Sequence, residues 1–110
     1  MPEELHKIHC IPCEGGTPPL LDIDENLLMK EVPGWNLDRT SMHKLKRIFT
    51  FKDFKEAMVF VNKIANIAEE EGHHPDLYIF YNQVHIELYT HAVGGLSKND
   101  FIVASKINKI

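Results

Sequence analysis

The chain has no apolar stretch approaching the length of a membrane span, because charged residues recur throughout. Nor does it contain a long run of Lys or Arg. With a net charge of −4, it is not expected to take a nucleic-acid backbone as its main partner. Met1-Pro2-Glu3-Glu4 is not a secretory start, so the expected location is intracellular, in the cytoplasm. Cysteine is sparse, with only Cys10 and Cys13 present. What remains is ordinary for a soluble globular protein: 110 residues, 44% hydrophobic and 25% charged. That length supports one domain with a real core, and it is small enough to gain from oligomerisation.

The two cysteines form a C-x-x-C pair just after His6 and His9. A zinc site would need those histidines as the second ligand pair, yet they abut the cysteines with no intervening loop to wrap a metal. A redox dithiol of the thioredoxin type should lie between a strand and a helix, whereas this pair precedes the loop Gly15-Gly16-Thr17-Pro18-Pro19. The favoured reading is two reduced thiols in an N-terminal arm. A local site of His6, His9, Cys10 and Cys13 is the alternative.

Residues 1–21 are expected to form an irregular arm, since Gly15-Gly16 and Pro18-Pro19 suit neither regular period. Residues 22–110 are expected to form a single domain. Asp22 or Asp24 is placed to cap a short helix through Leu27, Leu28 and Lys30, stopped by Pro33-Gly34. Trp35–Asp38 suggests a short strand and His43–Phe51 a second, with Leu45, Arg47, Phe49 and Phe51 on one face. There Arg47 is expected at the strand edge or snorkelling, with anion binding as the alternative. Asp53 and Glu56 make a capping-box-like start to a long helix. Its expected buried stripe is Phe54, Ala57, Met58, Val61, Ile64, Ala65 and Ala68, which leaves Phe60 and Ile67 on a second apolar side for a neighbouring helix or subunit. Gly72 suits the helix C-terminus. After a flexible connection at residues 92–96, Ser97-x-x-Asp100 resembles a capping box for a last helix carrying Phe101, Ala104, Ile107 and Ile110, widened by Ile102 and Val103 as core and a possible interface. The expected class is α+β: a four-stranded antiparallel sheet with helices on one face, in the order α-β-β-α-β-β-α.

Between the long helix and the last one, 76–81 and 84–91 alternate apolar and polar residues about Asn82-Gln83, a plausible two-residue turn. Folding there pairs Tyr81 with Val84, Ile79 with Ile86 and Leu77 with Leu88 on one face. On the other, Phe80 pairs with His85, Tyr78 with Glu87, Asp76 with Tyr89 and His74 with His91. The expected site is that second face, left open by the helices, with Trp35, Tyr78 and Phe80 in reach as stacking surfaces.

The three glutamates Glu69, Glu70 and Glu71 sit where the helix dipole prefers cations. For Glu70 and Glu71 a solvated last turn suffices. Glu69 lies one turn before His73 and is placed to orient that imidazole or to hold it protonated. Histidine both gives and takes protons near neutrality, so this cluster suits an elimination or isomerisation without a redox cofactor. Zinc ranks lower, because His73 and His74 are adjacent and Pro75 follows directly. His85 reads as structural, and His43 has no visible partner.

These residues resemble a known signature. Glu69-x3-His73-His74-Pro75, followed by Tyr81, His91 and Asp100 at their spacings, is similar to that of the pterin-4a-carbinolamine dehydratase family. The likeness extends to Pro33-Gly34-Trp35-Asn36, to Phe49-x-Phe51-Lys52-Asp53-Phe54, to Gly95-Leu96-Ser97, and in the arm to Cys10-x-x-Cys13-Glu14-Gly15-Gly16 with Pro18-Pro19-Leu20. The resemblance implies dehydration of 4a-hydroxytetrahydropterin to quinonoid dihydropterin, with no cofactor and no metal, in support of tetrahydrobiopterin recycling. By it, His73 and His91 would be the main acid/base residues and His74 would bind and orient the pterin. Glu69 would assist His73, Trp35 would line the site, Pro75 and Tyr81 would support it, and Asp100 would hold the last helix or its neighbouring loop. It also implies a homodimer or homotetramer. The alternative function is a non-catalytic dimerisation cofactor or protein-binding module acting through helix surfaces.

Overall fold

A computed structural model of the chain describes residues 4–12 and 15–110. Cys13 and the Met1-Pro2-Glu3 start lie outside the described residues. The elements are α1 (Asp22–Leu28), β1 (Asn36–Asp38), β2 (Lys44–Thr50), α2 (Phe54–Glu71), β3 (Asp76–Phe80), β4 (Gln83–Leu88) and α3 (Lys98–Ile107). Short 3₁₀ turns stand at Leu5–Lys7, Met29–Glu31 and His91–Val93. The strands form one antiparallel sheet in the order β1-β2-β4-β3. The expected α+β class and element order are those of the structure.

Capping follows the sequence at α2 and α3. Asp53 accepts a hydrogen bond from the Glu56 amide at 2.9 Å, and Gly72 ends α2 in the left-handed region at φ 64°. A residue without Cβ adopts that conformation at little cost. Ser97 and Asp100 form the reciprocal capping box of α3. At α1 the expectation fails, because Leu21 holds the cap position and Asp22 is already helical, with no side-chain cap bond.

Val84, Ile86 and Leu88 alternate inward along β4 with Leu45 from β2, and in one core with them lie Ala57, Phe60 and Ile64 of α2, whose Ala68 is also buried. The α2 stripe is thus rotated from the expected one. Phe60 is buried against Phe49 and Phe51, at ring centroids 4.6 and 5.0 Å away, and Ile67 packs on the core. Phe54 and Ala65 face solvent. Three aromatic rings meeting at one sheet corner outweigh a one-residue preference in helical phase. The last helix is buried on nearly every side, Ile102 and Val103 included, because the arm's 3₁₀ turn, α2 and the 29–31 turn all pack on it. Those two residues are therefore core, not interface. Arg47 reaches back to Asn108 Oδ1 at 2.5 Å and to the Pro33 carbonyl at 3.2 Å, and lies over the Phe49 ring at 4.2 Å. It thus serves to tie the chain's C-terminal end to the turn before β1.

The hairpin turn is one residue earlier than expected. Phe80 pairs with Gln83, Ile79 with Val84, Leu77 with Ile86, Tyr78 with His85 and Asp76 with Glu87. The turn residues are Tyr81, at φ 53°, and Asn82. Asn82 donates from Nδ2 to the Phe51 carbonyl at 3.0 Å and accepts from the Phe51 amide at 2.8 Å. That clasp to the end of β2 fixes the turn. Because the register moves by two residues, each side chain keeps its face.

Candidate active site

The ends of the hairpin depart most from the expectation. Neither His74 nor His91 is a strand residue, since β3 begins at Asp76 and β4 ends at Leu88. Pro75 has no amide hydrogen to extend the ladder. On the other side Thr90 turns back to Gly95, its amide donating to the Gly95 carbonyl at 2.7 Å. His91 consequently begins a 3₁₀ turn closed by Gly94 at φ 72°. The connection at 92–96 is packed, not loose: Val93 and Leu96 are buried, and the Leu20 amide donates to the Leu96 carbonyl at 2.9 Å.

The histidines nevertheless share one place. A cavity of about 510 Å³ lies beside the C-terminus of α2, at the end of the sheet. His73, His74 and His91 line it, with Asp76, Tyr89, Thr90, Glu71, Asn99 and the arm segment Cys10-Ile11-Pro12. The open face of the sheet, where the sequence pattern puts the site, carries Tyr78, Phe80, Ile48 and His85. The His85 ring meets Phe80 edge-on at 5.0 Å and its Nε2 lies 3.2 Å from Gln83 Oε1.

His73 is the most constrained of the three. Its Nε2 lies 2.5 Å from Asp100 Oδ1. The other oxygen of that fully buried carboxylate accepts from Thr90 Oγ1 at 2.7 Å and from the Ser97 amide at 2.9 Å. Asp100 thus joins the start of α3, the end of β4 and the histidine after α2. Glu69 does not reach His73. Its carboxylate lies 2.5 Å from His74 Nε2, and both side chains are largely exposed. The αL turn at Gly72 swings His73 inward towards α3 and leaves His74 on the helix's outer side. His91 is exposed, and although its carbonyl accepts from the Gly94 amide at 3.1 Å, its ring makes no hydrogen bond with the described residues.

Trp35 is absent from the cavity wall. It is buried in the core, donating from Nε1 to Asn108 Oδ1 at 2.9 Å. Tyr81 is exposed at the far tip of the hairpin, and Pro75 separates His74 from β3. Several lining residues carry no functional signal in the sequence. Tyr89 donates to Asp76 Oδ2 at 2.9 Å, and that carboxylate raises the phenol's pKa above its ordinary value. Glu71, expected in solvent, has a side chain only 2% exposed. Burial alone would raise its pKa, but the Cys10 amide at 2.8 Å, His9 Nδ1 at 2.9 Å and Lys106 outweigh that and hold the carboxyl below the usual range. The Cys10 thiol is pushed up to about 12 by burial and by Glu71, so it stays protonated. The run of three glutamates is the available signal for Glu71, but nothing local distinguishes it from Glu69.

His43 also has a partner: its Nδ1 lies 2.9 and 3.0 Å from the fully buried carboxylate of Glu25, which accepts from Arg39 Nε at 3.0 Å. This pair joins α1 to the loop before β2, away from the three-histidine cavity.

Residues 20–110 match the family model described as pterin 4 alpha carbinolamine dehydratase. The chain belongs to that family. A protein of Nitrosomonas eutropha, named provisionally as a pterin-4-alpha-carbinolamine dehydratase, is 46% identical over 92% of this chain and 88% of its own. One of Rubrobacter xylanophilus, named in the same provisional way, is 38% identical over 97% and 98%. Among solved structures, a Brucella melitensis protein described as a transcriptional coactivator/pterin dehydratase superposes with a TM-score of 0.77 at 32% identity, over 83% of this chain and 96% of its own. Membership makes the chain an enzyme of the hydro-lyase class. Among the described residues no helix is long and apolar enough to cross a membrane.

Proposed function

We propose that the chain converts a 4a-hydroxytetrahydropterin to the quinonoid dihydropterin and water by histidine acid/base catalysis in the three-histidine cavity, supporting tetrahydrobiopterin recycling in the cytoplasm. The observation that carries this reading is the convergence of His73, His74 and His91 on one cavity, with His73 held by a buried carboxylate. Loss of water from C4a needs one group to protonate the departing hydroxyl and another to accept a proton from the ring system. His73 and His91 take these parts. With Nε2 of His73 committed to Asp100, its exchange with substrate falls to Nδ1. The His91 ring, unencumbered by a hydrogen bond to the described residues, reorients to the substrate. His74 binds and orients the pterin, with Glu69 holding its ring. The reaction needs neither redox cofactor nor metal, since both protons are carried by imidazoles.

The test is the rate of 4a-carbinolamine loss, followed by ultraviolet absorbance with chelator present. Wild type should accelerate it, and His91→Ala should cost on the order of 10²-fold or more. A variant within a few-fold of wild type would remove His91 from the mechanism.

A second reading, as a protein-binding module, draws support from the Brucella protein, whose description pairs coactivator with dehydratase, and from the exposed Phe54 and Val59 on α2. Self-association as a homodimer or homotetramer is the simpler use of that face. Sedimentation separates the cases: a tetramer would occupy the helix face, and a monomer would weaken both ideas.

A further inference from the structure

We infer that Cys10-Ile11-Pro12 is a specificity-determining wall of the three-histidine cavity, holding the part of a reduced pterin remote from C4a. The inference rests on the proposed dehydratase function and adds to it a segment outside the family match, which begins at residue 20.

Three observations carry it. First, the segment lines the same cavity as the histidines. Second, it is docked by side chains of the domain itself. Asn99 acts as a substitute strand edge for Ile11, donating from Nδ2 to its carbonyl at 2.5 Å and accepting from its amide at 3.1 Å. Glu71 takes the Cys10 amide and lies beside the His9 ring. Below these, Leu5 is buried in the core and Lys106 donates to the His6 carbonyl at 2.9 Å. An extended segment whose backbone polar groups are satisfied in this way has a defined place. Third, its chemistry complements that of the opposite wall. The histidines, Asp76 and Tyr89 supply the polar and proton-carrying groups, whereas the arm offers Ile11, Pro12 and a protonated thiol. Small-molecule sites combine a few placed polar groups with apolar lining. Since the proton-transfer groups must lie at C4a, the arm is left to meet the substituent on the pterin ring. Interactions remote from the reacting atoms that persist unchanged into the transition state act on KM.

The test compares wild type, Ile11→Trp and Asn99→Ala with two substrates, 4a-hydroxytetrahydrobiopterin and its 6-methyl analogue. Ile11 is exposed, so Ile11→Trp should fold whether or not the buried Asn99 tolerates change. Ile11→Trp should raise KM about five-fold or more for the longer side chain, and less for the 6-methyl compound, with kcat within about two-fold. Asn99→Ala, which unhooks the wall, should raise KM for both. Unchanged KM values in an active enzyme would overturn the wall and leave the dehydratase reading standing. Should wild type fail to accelerate dehydration, calorimetric binding of 7,8-dihydrobiopterin decides. Binding weakened by Ile11→Trp would keep the wall while the reaction falls, and no binding by wild type would remove both.

Discussion

His73 and Asp100 lie 27 positions apart in sequence, and the His73 ring meets the buried carboxylate at 2.5 Å. The acid/base role proposed for His73 needs its ring held in one tautomer and one direction, and a buried carboxylate does both. Asp100 also completes the α3 capping box and receives the Thr90 hydroxyl, so the helix start and the site are set by one side chain.

Replacing Asp100 should therefore affect stability and catalysis separately. Asp100→Ala removes the carboxylate that the Ser97 amide, the Thr90 hydroxyl and the His73 ring share, and should cost about 2–5 kcal/mol by chemical denaturation. Asp100→Asn retains most of the shape and should fold. Its kcat should fall by about ten-fold or more, because an amide no longer offers the His73 ring nitrogen a charged acceptor that fixes its tautomer and direction. Near-normal kcat in a folded Asp100→Asn enzyme would make Asp100 purely structural.

Glu69 and His74 form an exposed pair, so their link should be visible in kinetics and nearly invisible in stability. Glu69→Ala should change the unfolding free energy by less than about 1 kcal/mol. Its effect on KM should disappear in a His74→Ala background, because the carboxylate acts through that ring. A double-mutant cycle measures this. Additive effects would mean that Glu69 touches substrate or another group independently.

Much of the fold is legible in the chain, and what is not has a common cause. The capping box of α3, the αL glycine after α2 and the inward alternation of Val84, Ile86 and Leu88 are local patterns, and they stand as read. The turn centre moves by one residue because Asn82 is clasped to Phe51, which lies 31 residues earlier. Helical spacing points Glu69 at His73, but Gly72 ends the helix between them and rotates the next residue away. Glu71 looks like its neighbours because its partners, His9, Cys10 and Lys106, come from the arm and the last helix. Trp35 carries a family motif yet sits in the core, where its ring nitrogen answers to Asn108.

Glu71 also sets an acid limit on stability. Its folded pKa is lowered, so its contribution is fully present above the ordinary value of 4.5 and is lost as pH falls through the lower folded value. At pH 7, Glu71→Gln should be about 1–3 kcal/mol less stable than wild type, since the Cys10 amide, His9 and Lys106 lose a charged acceptor. The gap should shrink as pH drops below 4.5. Denaturant titrations at a series of pH values measure it, and a constant gap would show that Glu71 is not the titrating latch.

Gly34 tests how the C-terminal end is tied down. Its φ is +87°, and a Cβ there would come within 2.7 Å of Arg47 Cζ. Gly34→Ala therefore meets two obstacles, a backbone conformation unfavourable to L residues and a guanidinium held by Asn108 and Pro33. The expected cost is about 1–3 kcal/mol. Trp35, the one tryptophan, donates to the same Asn108 oxygen that Arg47 uses, so displacement of Arg47 should shift its fluorescence as well. The variant Gly34→Ala/Arg47→Ala separates the causes. If crowding dominates, removing the guanidinium should recover part of the loss relative to Arg47→Ala alone. If the backbone dominates, Gly34→Ala should cost the same with or without Arg47, and the emission shift of the single Gly34→Ala variant should be absent.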